Sequence, residues 1–293
     1  MARYALVLHG GAGAKRKHDY SREIPHMKGL VEAARDRLAK GGSAVDVAVE
    51  VVRELEDSGL YVAGRGASPN ELGQYELDAS IMTGPEKHAG GVAALQGFRN
   101  PVEVARLVMD KTPHVLLAGE GAALFAGQNG CATIEDPEAW FTKAGGHEDN
   151  HPPGKLAHGT VGCVVLDADG QMAAATSTAG VFGKLPGRVG DTPIIASGTW
   201  ADAHVAVSGT GTGEYFMLTA ATAQVSWRVQ AGQPLQEAVQ AVLDEIGSLG
   251  GDGGLIAVDR HGNVSARYNS EGMKRAVLTG DGEIRSEVFE PGA

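Results

Sequence analysis

The chain has 293 residues, enough for one large domain or two small ones with a buried core. It carries 25 Lys and Arg against 36 Asp and Glu, and this net charge of −11 disfavours binding to nucleic-acid phosphates or to anionic lipid. No apolar run approaches the length of a membrane span, and the apolar stretch at the N-terminus is too short for a signal-peptide core. Two cysteines do not make a disulfide framework, so we expect a reducing, cytoplasmic environment.

The first half of the chain predicts strands and helices separated by glycine-rich turns. Residues 3–8 are typical of a buried strand, and residues 9–13 after them predict a tight turn. Ser43 is a suitable N-cap for a helix that ends near Asp57. The other elements predicted here are a helix at 24–40, strands at 74–82 and 91–98, a helix that starts at Pro101 and a helix at 113–126.

The composition changes abruptly at Thr160. The polar, aperiodic stretch 143–158 before it predicts an exposed loop or a mobile tail. After it we predict strands at 161–168, 171–178, 193–199 and 203–209, helices at 213–231 and 234–248, and a hairpin at 254–268 with its turn at 260–263. Short connections between strands favour antiparallel pairing, with helices on the outer faces. This order suits an α+β fold, a four-layer αββα sandwich in which two sheets lie between two helical layers.

Gly159-Thr160 stands where the polar stretch meets the first of these strands. A threonine hydroxyl is a weak nucleophile and needs a base beside it. A cut before Thr160 would free an α-amine on the same residue, whose pKa of about 7.7–8.0 lets it accept the hydroxyl proton near neutral pH. Gly159 offers the unhindered carbonyl that such a cut requires. By itself, however, the dipeptide favours a plain strand start, because threonine is common in strands.

Five short motifs change this interpretation. They are, in chain order, His9–Gly13, Leu77–Met82, Gly159–Gly162, Lys184–Asp191 and Asn269–Met273. Each is weak alone, but together, over nearly the whole chain, they closely resemble the plant-type asparaginase and isoaspartyl peptidase family of N-terminal nucleophile hydrolases. The resemblance implies the αββα sandwich and a self-cleavage that divides one domain, residues 1–293, into an α subunit 1–159 and a β subunit 160–293.

The resemblance also implies the catalytic residues. Thr160 would be the nucleophile, with the cleavage site between Gly159 and Thr160, and Thr178 would place a second hydroxyl beside it. Thr210 and Gly211 would form the oxyanion hole through a hydroxyl and a backbone N–H. The glycine-rich segment around Gly211 is also compatible with an ordinary strand-to-helix turn.

The substrate, in this family, is a small zwitterion. Arg188 and Asp191 would bind its α-carboxylate and α-ammonium, since a guanidinium grips a carboxylate by two parallel hydrogen bonds. Thr210, Gly211 and Gly213 would complete the substrate pocket. Without the motif, Arg188 and Asp191 would more simply pair with each other as a surface salt bridge.

The family further carries a loop whose backbone carbonyls hold a sodium ion. By position the ligands here would be the carbonyls of Leu55, Glu56, Ser58, Tyr61, Ala63 and Arg65. No cofactor is required for the chemistry itself. In the same loop the family pattern is Phe-Asn-Ala-Gly, whereas this chain has Tyr61-Val62-Ala63-Gly64. Valine cannot donate a hydrogen bond to the reaction centre, and Asn70 is a candidate replacement for the missing amide.

The resemblance therefore predicts a self-processing peptidase for β-aspartyl dipeptides with L-asparaginase activity, working as a homodimer of cleaved αβ protomers. One alternative is a non-catalytic relative that binds amino acids or β-aspartyl peptides because Val62 has disabled its maturation. Another is a glycosylasparaginase-like or protein-cleaving branch of the same fold, which Gly159 before Thr160 disfavours because those relatives typically have Asp there.

Overall fold

The computed structural model describes residues 4–142 and 158–290. Its first part contains β1 (Ala5–Ala12), α1 (Glu23–Ala39), α2 (Ala44–Asp57), β2 (Leu77–Gly84), β3 (Ala89–Leu95), α3 (Pro101–Lys111), β4 (Leu116–Ala118), α4 (Gly119–Gln128) and α5 (Pro137–Trp140). The second contains β5 (His158–Leu166), β6 (Met172–Val181), β7 (Thr199–Ala201), β8 (Val205–Gly211), α6 (Gly213–Thr219), α7 (Ala221–Gln230), α8 (Leu235–Ser248), β9 (Gly253–Asp259), β10 (Val264–Tyr268), β11 (Met273–Leu278) and β12 (Ile284–Glu287).

The strands form two sheets. The larger has the order β12-β11-β1-β5-β6-β2-β3-β4, and the smaller has the order β10-β9-β8-β7. Neighbouring strands pair antiparallel, as predicted, except that β3 and β4 are parallel. Strand β5, which carries Thr160, therefore lies near the middle of the larger sheet, between β1 and β6.

Apolar side chains form three large packed regions and a small fourth one around Val62 and Ala179. Alternate residues of β1 face opposite sides of the sheet: Leu6 and Leu8 pack among side chains of α1 to α4, whereas Ala5 and Val7 pack among side chains of the smaller sheet. A third region lies between the smaller sheet and α6 to α8. The chain is thus a mixed structure of sheets and helices, and Cys163 is a buried core residue.

Several element boundaries are confirmed. The Ser43 side chain caps α2 by accepting a hydrogen bond from the Asp46 backbone N–H. The hairpin of β9 and β10 turns over residues 260–263, and α3 starts at Pro101. Most of the predicted loop at 143–158 lies outside the described residues.

Other sequence predictions were wrong. The expected turn at residues 9–13 is largely strand, because β1 continues to Ala12 through an irregularity in its pairing with β11. The predicted helix 113–126 starts only after β4, and the predicted strand 193–199 is mostly loop before β7. The predicted helix 213–231 is divided at Ala220, which adopts the left-handed conformation (φ 48°, ψ 47°). Strands β11 and β12 were not predicted.

Within the described ranges, no helix is both long enough and apolar enough to cross a bilayer.

Candidate active site

The sheet register brings the two predicted hydroxyls together. Thr160 of β5 lies directly opposite Thr178 of β6, and Thr178 in turn lies opposite Asp78 of β2. Opposed residues on neighbouring antiparallel strands have β-carbons about 4.5–5.5 Å apart, so their side chains can touch. Both threonines are almost completely buried, with 5% and 3% of their surfaces exposed.

Hydrogen bonds connect these hydroxyls to the peptide bond that precedes Thr160. The Thr160 hydroxyl donates to Thr178 Oγ1 at 3.2 Å, and the Thr178 hydroxyl donates to the Gly159 carbonyl oxygen at 2.6 Å. The Gly180 backbone N–H donates to Thr178 Oγ1 at 3.0 Å. In the intact chain, the Thr178 hydroxyl is therefore placed to polarise the carbonyl that Thr160 would attack.

Val62 covers the other side of this peptide bond. Its side chain is buried, and a β-carbon added to Gly159 would overlap it. The Val62 carbonyl accepts a hydrogen bond from the Ala179 N–H at 3.1 Å, which ties the loop to β6 beside Thr178. Only a residue without a side chain fits opposite Val62.

Asn70 does not take the place of the missing amide in this structure. Its side-chain NH₂ lies 3.3 Å from Glu76 Oε2 and 3.4 Å from Gln74 Oε1, and its oxygen accepts from the N–H groups of Leu72 and Gln74. Both ends of the amide therefore serve the local turn.

The imidazole of His9 contacts the strand that carries Thr160. Its Nδ1 lies 3.0 Å from the Thr160 carbonyl oxygen and its Nε2 lies 3.0 Å from Ser208 Oγ. Complete burial lowers its pKa to about 3, so the ring is neutral. Because a carbonyl can only accept, Nδ1 carries the proton and Nε2 accepts from the Ser208 hydroxyl.

This contact is one end of a buried hydroxyl chain that crosses between the sheets. Ser208 Oγ lies 2.8 Å from Thr176 Oγ1, which accepts from the Thr199 hydroxyl at 2.6 Å. The Ser80 hydroxyl lies 2.8 Å from Thr199 Oγ1 and 2.6 Å from the Thr192 carbonyl oxygen. These hydrogen-bonded hydroxyls, with His9, therefore connect the Thr160 carbonyl to the carbonyl of Thr192, the residue after Asp191. Sequence reasoning missed this hydroxyl chain, because its members are far apart in the sequence and each is an ordinary strand residue.

The predicted substrate residues lie on the loop after β6 and at the start of α6. Asp191 is buried beside Gly213, where an added β-carbon would lie 2.6 Å from Asp191 Oδ1. Arg188 makes its forked ion pair with Glu214: its Nε and Nη2 lie 3.0 and 2.9 Å from Glu214 Oε1, and Nη2 lies 3.0 Å from Oε2. The simple alternative of a surface salt bridge to Asp191 does not describe this arrangement, because Asp191 is buried and the forked partner is Glu214.

The predicted oxyanion residues end β8. Thr210 is completely buried, and its Oγ1 accepts a hydrogen bond from the Ala12 N–H at 3.2 Å, which leaves the hydroxyl proton available for another acceptor. Gly211 follows it, opposite Gly253 of β9. Strand β1 thus contacts Thr160 through His9 and Thr210 through Ala12, so one strand positions both residues.

Buried charged residues contact the start of the predicted substrate loop. The Lys184 ammonium, which is fully buried, donates to the Glu76 carbonyl oxygen at 3.1 Å and lies 3.7 Å from Glu76 Oε2. Glu76 Oε1 accepts from the Gly187 N–H at 2.9 Å. Burial raises the pKa of Asp78 to about 6, although nearby Lys184 opposes this shift. These contacts fix the start of the loop that carries Arg188.

The predicted sodium loop follows α2 and folds back on it. An added β-carbon at Gly64 would lie 2.7 Å from the Glu56 carbonyl oxygen, so the two ends of the loop meet. Four of the predicted ligand carbonyls already accept a hydrogen bond, namely those of Leu55, Tyr61, Ala63 and Arg65. A carbonyl oxygen has two lone pairs, so each can still accept a cation. Backbone oxygens of this kind suit a hard cation.

The family model described as asparaginase matches residues 2–286. Similar relatives include the isoaspartyl peptidase of Escherichia coli K12, 42% identical over 94% of this chain and 93% of its own length. The isoaspartyl peptidase/L-asparaginase of Bos taurus is 39% identical over 97% of this chain and 95% of its own length. The protein named probable isoaspartyl peptidase/L-asparaginase 2 of Arabidopsis thaliana is 36% identical over 99% of this chain and all of its own length. These matches confirm the resemblance read from the motifs, and the chain belongs to the asparaginase family of hydrolases that includes these isoaspartyl peptidases.

Proposed function

We propose that this protein is a self-processing isoaspartyl peptidase with L-asparaginase activity. The observation that carries the proposal is the relay from the Thr160 hydroxyl through the Thr178 hydroxyl to the Gly159 carbonyl oxygen. Relatives of similar length named isoaspartyl peptidase or isoaspartyl peptidase/L-asparaginase support it. No observation favours the non-catalytic alternative, so we do not propose it.

The relay suggests how the chain would cut itself. Thr160 Oγ attacks the Gly159 carbonyl carbon while its proton passes to Thr178 and the Thr178 proton passes to the Gly159 oxygen. As this intermediate collapses, the proton on the Gly159 oxygen passes to the Thr160 nitrogen, the Gly159–Thr160 peptide bond breaks, and the Thr160 α-amine is freed while Gly159 remains as an ester on Thr160 Oγ. Water then hydrolyses the ester, which releases the Gly159 carboxylate and regenerates the Thr160 hydroxyl. The products are an α subunit 1–159 and a β subunit 160–293 of one domain.

The freed α-amine would serve as the base for substrate hydrolysis. It accepts the Thr160 hydroxyl proton as Oγ attacks the β-carbonyl of a β-aspartyl substrate. Thr210 and the Gly211 N–H stabilise the oxyanion, and the amine of the leaving amino acid departs with the proton. Water hydrolyses the acyl-enzyme and releases L-aspartate. With asparagine as the substrate, the leaving group is ammonia.

Substrate selection would depend on charge at both ends of the aspartyl group. Arg188 binds the α-carboxylate, Asp191 binds the α-ammonium, and Gly213 allows Asp191 to approach the start of α6.

We also propose the four-layer αββα sandwich of N-terminal nucleophile hydrolases for this fold, and a homodimer of cleaved protomers. A sodium ion held by carbonyls of residues 55–65 would stabilise the loop that presses Val62 on Gly159, without a role in the chemical steps.

The test is hydrolysis of a β-aspartyl dipeptide by the protein after it has been incubated to completion of self-cleavage. We expect release of L-aspartate from β-Asp-Leu and, separately, from asparagine, but no hydrolysis of the α-linked Asp-Leu, in which the amide is on the other carboxyl. Thr160→Ala is the matched control and should be inactive on both. Cleaved protein that releases no aspartate from either substrate would refute the proposal.

A further inference from the structure

We propose that Glu214 is a positioning residue that orients Arg188 so that one edge of its guanidinium receives the substrate carboxylate. This inference rests on the proposed function, and it concerns a residue outside the predicted site. Glu214 stands one position after Gly213, at the start of α6, and its side chain is 47% exposed, whereas that of Arg188 is only 16% exposed.

The ion pair with Glu214 occupies only one of the two hydrogen-bonding edges of the Arg188 guanidinium. Glu214 takes the Nε–Nη2 edge with three contacts of 2.9–3.0 Å. Among the described residues, no hydrogen bond uses Arg188 Nη1. A guanidinium has five N–H donors in a rigid plane, so a carboxylate on one edge leaves the other edge free for a second carboxylate.

The glycines of the loop mark the space beside the second edge. An added β-carbon would lie 2.8 Å from Arg188 Nη1 at Gly190 and 3.3 Å from it at Gly180. Nη1 thus lies beside two residues that have no side chains, and the Lys184 ammonium borders the same place, since its Nζ would lie 3.3 Å from a β-carbon at Gly180. The position is suitable for a small anionic group.

This edge also faces the reaction centre. The Gly180 N–H donates to Thr178 Oγ1, so the backbone that borders Nη1 is the same backbone that holds the Thr178 hydroxyl. A carboxylate on Nη1 would place an aspartyl side chain toward Thr178 and Thr160. If the Arg188 side chain rotated, Nη1 would no longer point toward Thr178 and Thr160. The bidentate contact with Glu214 prevents that rotation.

Two models of the Glu214 charge can be compared: Glu214 either positions Arg188 or competes with the substrate carboxylate for it. If Glu214 only blocked Arg188, the substrate carboxylate would have to displace Glu214 from a bidentate ion pair with Arg188 before it could bind. With Glu214 on the Nε–Nη2 edge, a substrate carboxylate can bind Nη1 on the adjacent edge and no contact needs to break. The two models predict opposite effects of removing the Glu214 charge on KM.

The variant that tests this is Glu214→Gln, which keeps the shape and removes the charge. We expect KM for β-Asp-Leu to rise about tenfold, with kcat changed less than about twofold. Glu214→Asp should recover part of this loss. Self-cleavage involves no substrate carboxylate, so its rate should remain that of the wild type, whereas a general structural defect would slow it as well. Glu245→Gln is the matched control, because Glu245 is another exposed glutamate near an arginine, Arg228.

A second measurement does not depend on turnover. Cleaved protein is titrated with L-aspartate, which carries both charges of the aspartyl group, and the Kd is compared among wild type, Glu214→Gln, Arg188→Ala and the double variant. If Glu214 acts through Arg188, the double variant should bind no more weakly than Arg188→Ala. A lower KM or Kd in Glu214→Gln, a matching loss of self-cleavage, or additive losses in the double variant would each overturn the inference. Wild-type protein that binds L-aspartate but hydrolyses nothing would refute the proposed function and leave this inference tested by the titration.

Discussion

Val62 lies directly against Gly159, so close that a β-carbon on the glycine would overlap the valine side chain. Position 62 therefore faces the peptide bond at the proposed cleavage site, as its alignment with the family loop predicted. The valine supplies bulk there but no hydrogen-bond donor, and Asn70 is occupied elsewhere.

Val62→Asn should therefore speed self-cleavage or turnover by about tenfold, equivalent to about 1.4 kcal/mol. The new amide would donate to the oxygen on which negative charge develops. The measurement is a time course of fragment appearance, followed by kcat on β-Asp-Leu. Val62→Leu, similar in shape to asparagine but without the amide, separates the effect of shape from that of the hydrogen bond. Equal rates in both variants would show that the amide does not reach the reacting carbonyl.

Self-cleavage itself is the most direct prediction. Incubated protein should give two fragments, 1–159 and 160–293, and N-terminal sequencing of the smaller should read Thr-Val-Gly-Cys. Thr160→Ala should remain intact, because a methyl group cannot attack, whereas Thr160→Ser should still cleave. A single intact mass after prolonged incubation of the wild type would contradict the prediction.

Thr178→Val should slow self-cleavage by about 10²–10³-fold, the usual cost of losing one donor to a developing oxyanion. Valine has the shape of threonine but can neither donate to the Gly159 oxygen nor accept from Thr160. Thr178→Ser keeps the hydroxyl and should retain most of the rate. If Thr178→Val cleaves as fast as the wild type, the hydroxyl relay has no part in the reaction.

Arg188→Lys should lower kcat/KM on β-aspartyl dipeptides by roughly one to two decades, since losing a hydrogen bond to a charged group costs about 1.5–3 kcal/mol. An ammonium keeps the charge but cannot hold Glu214 and a substrate carboxylate on two edges of one plane. The loss should appear in steady-state kinetics, while self-cleavage is unaffected. Full activity of Arg188→Lys would remove Arg188 from the carboxylate site.

The buried His9 predicts a pH dependence of stability. Its pKa is lowered from 6.5 to about 3, so between these values the unfolded chain binds a proton that the folded chain does not. The contribution of neutral His9 to the free energy of unfolding is therefore complete above about pH 6.5. Below that pH the contribution falls, by up to about 1.4 kcal/mol per pH unit. His9→Gln lacks this dependence.

Denaturant unfolding in the uncleaved Thr160→Ala background would measure the effect. The difference in free energy of unfolding between this chain and its His9→Gln variant should shrink by about 2 kcal/mol from pH 7 to pH 5. Other groups with shifted pKa values, such as Glu56, whose burial raises its pKa to about 8, are present in both proteins and cancel. A constant difference would mean that His9 titrates normally in the folded state.

Local patterns were sufficient to predict elements whose causes are local. Helix α2 has an apolar face and the Ser43 cap, and the β9–β10 hairpin has its turn residues in sequence. The break at Ala220 could not be predicted, because alanine favours helix and the N–H groups of Thr222 and Ala223 after it bond to the carbonyls of Ser197 and Ala196, which are distant in the sequence. The same limit applies to the site. The motifs indicated Thr160, Thr178 and Arg188, but the hydroxyl chain from His9 and the pair of Arg188 with Glu214 depend on register and on contacts between distant segments.

The strand order has a kinetic consequence. In the larger sheet β1 lies between β11 and β5, so a strand from residues 1–159 is enclosed by two strands from residues 160–293. A cut before Thr160 leaves this interleaved arrangement in place but converts one polypeptide into two that fold together. Refolding of the cut protein from denaturant then needs a collision of two molecules, and its rate rises with protein concentration. The uncut chain refolds at a rate that dilution does not change, so maturation would be a step after which the folded state, once lost, is regained only slowly in dilute solution.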